Sequence, residues 1–195
     1  MSAPAERHAL AVAVLGGAAG GGLALLGASR PWAGVEVAAR GVPATDVSVA
    51  GSSAVPWVGA LALVVLSGAL ALVPTGGLLR RVVGAVVALA AVGVAFGVVT
   101  AGPQVHDALT AAVQASAASG GVDVGAVVAH ADAPWWRWLS LVGSATGAVA
   151  GGWALARGHR WQTMGSRYEA PGADGPPPVE RDPWRSIDAG RDPTL

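Results

Sequence analysis

Two long stretches of this chain carry no ionisable side chain: residues 47–79, between Asp46 and Arg80, and residues 82–105, between Arg81 and His106. About 20 apolar residues cross the hydrocarbon core of a bilayer, because a helix rises 1.5 Å per residue. A lone strand in lipid would leave its main-chain groups unpaired, so helix is the expected form. Further apolar runs lie near each end of the chain. Four spans are expected, at about 9–27, 56–74, 82–101 and 136–156. The expected class is an all-α membrane protein of four transmembrane helices. It has an N-terminal tail at 1–8, a membrane domain at 9–157, and a polar, largely disordered tail at 158–195.

Composition agrees. Charged residues make up 12% of the chain, about half the usual share in soluble domains. The formal net charge is zero, which gives no reason to expect nucleic acid as a partner. There is no cysteine, so disulfides, thiolate nucleophiles and cysteine metal sites are excluded. Arg7, the apolar run and the small residues Gly27, Ala28 and Ser29 resemble a signal peptide with a cleavage site. The run from Ala9 to Gly27 is longer than the 7–15 residues of a typical signal core, so a retained span is expected.

Arginines orient the spans. With the N-terminus inside, Arg7, Arg80, Arg81, Arg157, Arg160 and Arg167 fall on the cytoplasmic side. Arg30, Arg40 and Arg137 fall outside, where Arg137 is expected to snorkel to the headgroups. The bias favours both termini in the cytoplasm of a bacterial cell. Trp32, Trp57, Trp135 and Trp136 then lie near the outer interface, where indole rings prefer to sit, and Trp161 near the inner one. Among the outer connections, "VEVAARGV" and "DVSVAG" alternate apolar and polar residues, as a short hairpin or an extended loop would. Val105, Leu109, Ala112 and Val113 have helical spacing and predict a short amphipathic helix on the outer surface.

Glycine is the other conspicuous residue, with 29 copies. Gly143, Gly147 and Gly151 form a stripe at four-residue spacing, which places them on one helix face where another backbone can approach. Packing inside the chain's own bundle is the favoured reading, with homo-oligomerisation as the other. Away from Thr100 and Arg137 at their ends, the spans hold only Ser67, Ser140, Ser144 and Thr146 as polar side chains. Each can bond its own helix backbone, so no ion path is implied. His106-Asp107 and His130-x-Asp132 match no metal-ligand spacing. No nucleophile–base pair stands out. Neither an enzyme, a metal nor a cofactor is expected.

The tail runs "MGSRYEAP", then a Gly/Pro linker, then "VERDPWRSIDAGRDPTL". Asp182 suits an N-cap and Pro183 the first helical position, so a short helix with Trp184 and Ile187 on one face is expected to order on a partner. Arg167, Tyr168, Asp182, Pro183, Trp184, Arg185 and Ile187 are the candidate docking residues for a cytoplasmic protein.

"MGSRYEAP" with "DPWRSIDAGRDPT", and "VAGSSAVPWVGALALVVLSGALAL" at the second span, resemble the actinobacterial tryptophan biosynthesis-associated transmembrane protein family. The resemblance implies a membrane protein whose gene lies among tryptophan biosynthesis genes. It carries over no catalytic residue. An accessory or interaction protein is the expected role, with a small permease or exporter for tryptophan, indole or a related aromatic as the alternative. The arginine bias generates a topology prediction: reporter fusions will place the loop around Asp123 outside and the segment after Arg160 inside. A periplasmic-type signal from a fusion at the C-terminus would overturn that layout.

Overall fold

The computed structural model describes residues 3–38, 43–117 and 123–158. The chain divides into two units, Met1–Thr163 and Met164–Leu195, and the second lies outside the described residues. In the first, helix α1 (Ala3–Ala28) leads into strands β1 (Pro31–Val37) and β2 (Thr45–Ala50). A single turn, α2 (Gly51–Ala54), precedes α3 (Pro56–Ala71) and α4 (Gly77–Thr100). Helices α5 (Gly102–Ala117) and α6 (Val124–Val128) follow, and α7 (Trp136–Arg157) closes the order. The fold is mostly helical, but β1 and β2 pair antiparallel, so the all-α expectation is corrected. Val35 and Val37 face Val47 and Thr45 in the ladder; of the two readings of this connection, the hairpin is the one formed.

Among the described residues, three helices are long and apolar enough to cross a membrane: His8–Ala28, Gly77–Thr100 and Trp136–Arg157. The fourth expected span is a shorter apolar helix, Pro56–Ala71. Pro56 opens it at a first-turn position where no N–H is required. The connection to α4 is tight. Gly77 sits at φ +55°, a backbone conformation that costs a side-chain-bearing residue about 1 kcal/mol or more. Helix α4 therefore begins at Gly77 rather than near Val82, which draws Arg80 and Arg81 into its first turns.

The four long helices pack in the cyclic order α1, α3, α4, α7, each antiparallel to its neighbours. The contacts at glycine fix this arrangement. A Cβ on Gly20 would lie 2.7 Å from the Gly143 carbonyl oxygen, and one on Gly21 would lie 2.6 Å from the Leu66 nitrogen. One on Gly93 would meet Leu61 at 2.7 Å, and one on Gly84 the Leu155 nitrogen at 2.7 Å. On three sides of the square a glycine thus meets partner backbone too closely for a side chain, and on the α3–α4 side Gly93 makes room for the Leu61 side chain. The α1 N-terminus, the α3–α4 turn and the α7 C-terminus share one end, the turn end. The hairpin, α5 and α6 share the other, the hairpin end.

The interior is built from small residues: Ala24, Ala28, Ala62, Ala69, Ala91 and Ala154 are buried with the glycines. Bulky side chains such as Leu15, Leu89, Phe96, Val99 and Val149 face outward. That distribution suits a bilayer, where apolar side chains gain nothing by turning in and close backbone packing holds helices together.

A substitution series checks the role of these contacts. Gly143→Leu must displace the α1 backbone, since its Cβ would meet the Gly20 oxygen at 2.5 Å. It is expected to cost a few kcal/mol, about the scale of overpacking. Gly152 on the same helix has nothing within 4 Å of its Cβ position, and Gly152→Leu should change stability by less than about 0.5 kcal/mol. Thermal unfolding in detergent measures both, and equal midpoints would show that the α1–α7 contact does not hold the bundle.

Candidate functional site

The predicted glycine stripe on α7 is divided among three neighbours. Gly143 lies on α1, against Gly20 and Ala24. Gly147 points to the bundle centre, where its Cβ would be 2.8 Å from Val65 and 3.5 Å from Ala91. Gly151 lies on α4, 2.6 Å from the Ala88 nitrogen by the same measure. All three face helices of the same chain. Ser67, Ser144 and Thr146 bond carbonyls three or four residues back on their own helices. Ser140 departs from that expectation: fully buried, it donates across to the Ala24 carbonyl of α1 at 3.2 Å.

The hairpin end holds the most elaborate side-chain arrangement. Trp32 is 2% exposed, not set among headgroups as its place in the sequence suggested. The ladder register shifts between Pro31 and Ala33. Strand alternation sends Trp32 and Ala33 to opposite faces, and both faces are covered here. Trp32 enters the cluster of Ala24, Ala28, Val55, Val58 and Val98 at the mouth of the bundle. Ala33 joins Val37, Val49, Leu109, Val113 and Val128 in a separate core. The indole Nε1 of Trp32 donates to the Gly27 carbonyl at 2.9 Å, and Gly51 leaves the space the ring occupies.

That second core explains α5. Its stripe of Leu109 and Val113, flanked by Val105 and Ala112, packs on the hairpin and α6 rather than on a membrane surface. Asp123 caps α6 by accepting from the Ala126 N–H at 3.2 Å. The segment before α7 is tied to β1 by a bridge in which Gly34 and Asp132 exchange N–H···O bonds of 3.1 and 2.8 Å. His130 is exposed and lies 2.8 Å from the Ala126 carbonyl. Among the described residues, no three His, Asp or Glu side chains gather as a metal site would require.

The arginines are used differently from one another. Arg137 is half-buried and donates to the Val98 carbonyl at 3.0 Å, where snorkelling to headgroups was expected. At the turn end Arg81 donates to the Leu155 carbonyl at 3.2 Å, at the negative end of α7. Arg80 is 1% exposed, its stem lies against Gly158, and it donates to the Thr75 carbonyl. The sequence marked it only as a boundary charge. Arg30 is exposed and stands over the Trp136 ring, 5.0 Å from its centroid, while Trp135 stacks on Trp136 at 4.2 Å. Between α1 and α7 a groove of about 400 Å³ opens outward, lined by Val12, Gly16, Val149 and Trp153 among others. The tail residues Arg167, Tyr168, Asp182, Pro183, Trp184, Arg185 and Ile187 lie outside the described residues, as do Arg40, Arg160 and Trp161.

A family model described as tryptophan-associated transmembrane protein matches residues 14–194. No curated protein and no solved structure matches the chain.

The plug at the bundle mouth has a measurable weight. Trp32→Ala opens a cavity and leaves the Gly27 carbonyl only the long 3.4 Å bond from the Arg30 N–H, for an expected loss of roughly 3–5 kcal/mol. Trp138→Ala, at a position 65% exposed, should stay within about 0.5 kcal/mol of wild type. Unfolding in detergent followed by circular dichroism compares them, and equal losses would remove the plug from the account.

Proposed function

Since this chain belongs to the tryptophan-associated transmembrane protein family, we propose that it is a non-enzymatic accessory protein of tryptophan biosynthesis that holds a cytoplasmic protein at the bacterial cytoplasmic membrane. The observation that carries this reading over a permease is the filled interior. Val65, Ala91 and Gly147 meet at the bundle centre, and Trp32 closes the hairpin end. The buried hydroxyls of Ser140 and Ser144 are already committed to carbonyls. A bundle so packed suits an anchor better than a conduit for tryptophan or indole.

In this reading α3 is the fourth span. Its support is packing along its whole length: Trp57 and Val58 lie on Gly97, Leu66 on Gly21 and Ala69 on Gly17. Its 16 residues reach about 24 Å as helix, and the turns at each end carry the chain farther. The turn end, with Arg80, Arg81 and Arg157, faces the cytoplasm by the arginine bias. The C-terminal tail is the docking element, with Trp184 and Ile187 as its apolar anchor and Asp182-Pro183 as the helix start.

Crosslinking and pull-down from cells expressing the full chain tests the reading. Trp184→Ala, and truncation after Pro171, should each lose the cytoplasmic partner while membrane insertion and abundance hold. The same chain in vesicles should give no uptake of labelled tryptophan or indole. Recovery of the same partners by the truncated chain would remove the docking role. Uptake above empty vesicles would restore the permease.

A further inference from the structure

We propose that Arg30, held over Trp136, is the phosphate-binding element of a phospholipid headgroup site at the hairpin end of the bundle. The last carbonyls of α1 are already served: Leu25 by the Ser29 N–H at 2.9 Å, Leu26 by the Ser29 hydroxyl at 2.9 Å, and Gly27 by the Trp32 indole at 2.9 Å. Arg80, Arg81 and Arg137 each donate to a main-chain carbonyl, whereas among the described residues the Arg30 guanidinium has its contact with the indole alone. It makes no ion pair with a described residue. A guanidinium over an aromatic face is attracted through that face and keeps its N–H groups in plane. Such a fork matches the paired oxygens of a phosphodiester.

The rings fix the site's depth. Trp57, Trp135 and Trp138 are 43%, 59% and 65% exposed, and all lie at the same end of the bundle as Arg30. Indoles at such a level mark the boundary between acyl chains and headgroups, where lipid phosphates lie. Below them the outward faces of α3, α4 and α7 continue the apolar surface through Val64, Phe96 and Val142. A phospholipid is therefore the occupant that satisfies both parts: its phosphate on Arg30 and its acyl chains on the surface beneath. The stack of Trp135 on Trp136 keeps the platform in place whether or not a lipid is bound. The site does not depend on which side of the membrane the hairpin end occupies.

The test is a titration of the full-length chain, in non-ionic detergent, with dioctanoyl phosphatidylglycerol, counting bound lipids by native mass spectrometry. Wild type should show a first binding step that weakens about fivefold in Arg30→Gln, the scale of one arginine at an anionic surface. Arg157→Gln, at the opposite end, should leave that step unchanged. Because Arg30 is exposed in a turn, Arg30→Gln should keep the wild-type unfolding midpoint. An unchanged first step in Arg30→Gln, or an equal loss in Arg157→Gln, would overturn the site. Inorganic phosphate should fail to displace the lipid from wild type. Displacement at matched concentration would identify a soluble anion as the ligand and overturn the lipid assignment.

Discussion

Close backbone approach is the interaction on which the rest of this molecule rests. Inside a bilayer, a leucine turned toward a neighbouring helix gains little over one turned toward lipid. What remains is van der Waals contact at short range, and only glycine and alanine permit it between helix backbones. Gly20 on Gly143, Gly21 on Leu66 and Gly84 on Leu155 each supply one side of the square, and on the fourth Gly93 receives the Leu61 side chain. With backbones so near, the Ser140 hydroxyl can cross to the Ala24 carbonyl, a bond closed to helices separated by larger side chains. The bulk that would fill a soluble core is displaced to the rim, where Phe96 and Leu89 meet lipid.

The hairpin end solves a different problem. A bundle of small residues leaves its mouth open unless something large is brought in from outside. Trp32 supplies that volume, from the face of β1 opposite Ala33. The neighbouring Ala33 turns to the other core, so two adjacent residues of one strand belong to two hydrophobic clusters. The same short segment therefore closes the bundle and founds the cap above it. At the opposite end arginine does the closing: Arg81 and Arg80 donate to carbonyls at the α7 terminus and the α3–α4 turn.

Much of this was legible in the sequence, for particular reasons. Long uncharged stretches locate helices because lipid tolerates no other arrangement. The valine alternation at 35, 37, 47 and 49 was compatible with the hairpin, and the Leu109–Val113 stripe with a helix. Their partners were not legible, since each covers the other and sequence separation hides the pairing. Arg80 read as a boundary because charge ordinarily ends a span. Only the tight turn at Gly77 brings it inside the helix, and a positive φ is not announced by one glycine among 29. Trp32 read as an interfacial indole because the residues that cover it, from Ala24 to Val98, come together only in the folded bundle. The glycine stripe on α7 was visible, but its division among three helices depends on the angle at which each crosses.

The cap is assembled from two connections far apart in the chain, 31–50 and 102–131, with α3 and α4 between them. Its core cannot close when the hairpin first leaves the ribosome, because Leu109 and Val113 have not yet been made. Nor can it close if the two connections are delivered to opposite faces of the membrane. Until then Val37 and Val49 stay uncovered, an exposed surface of the sort that chaperones and proteases recognise. Completion of the cap thus requires both connections at the same end of the bundle, and Val37 and Val49 are buried only when both are there.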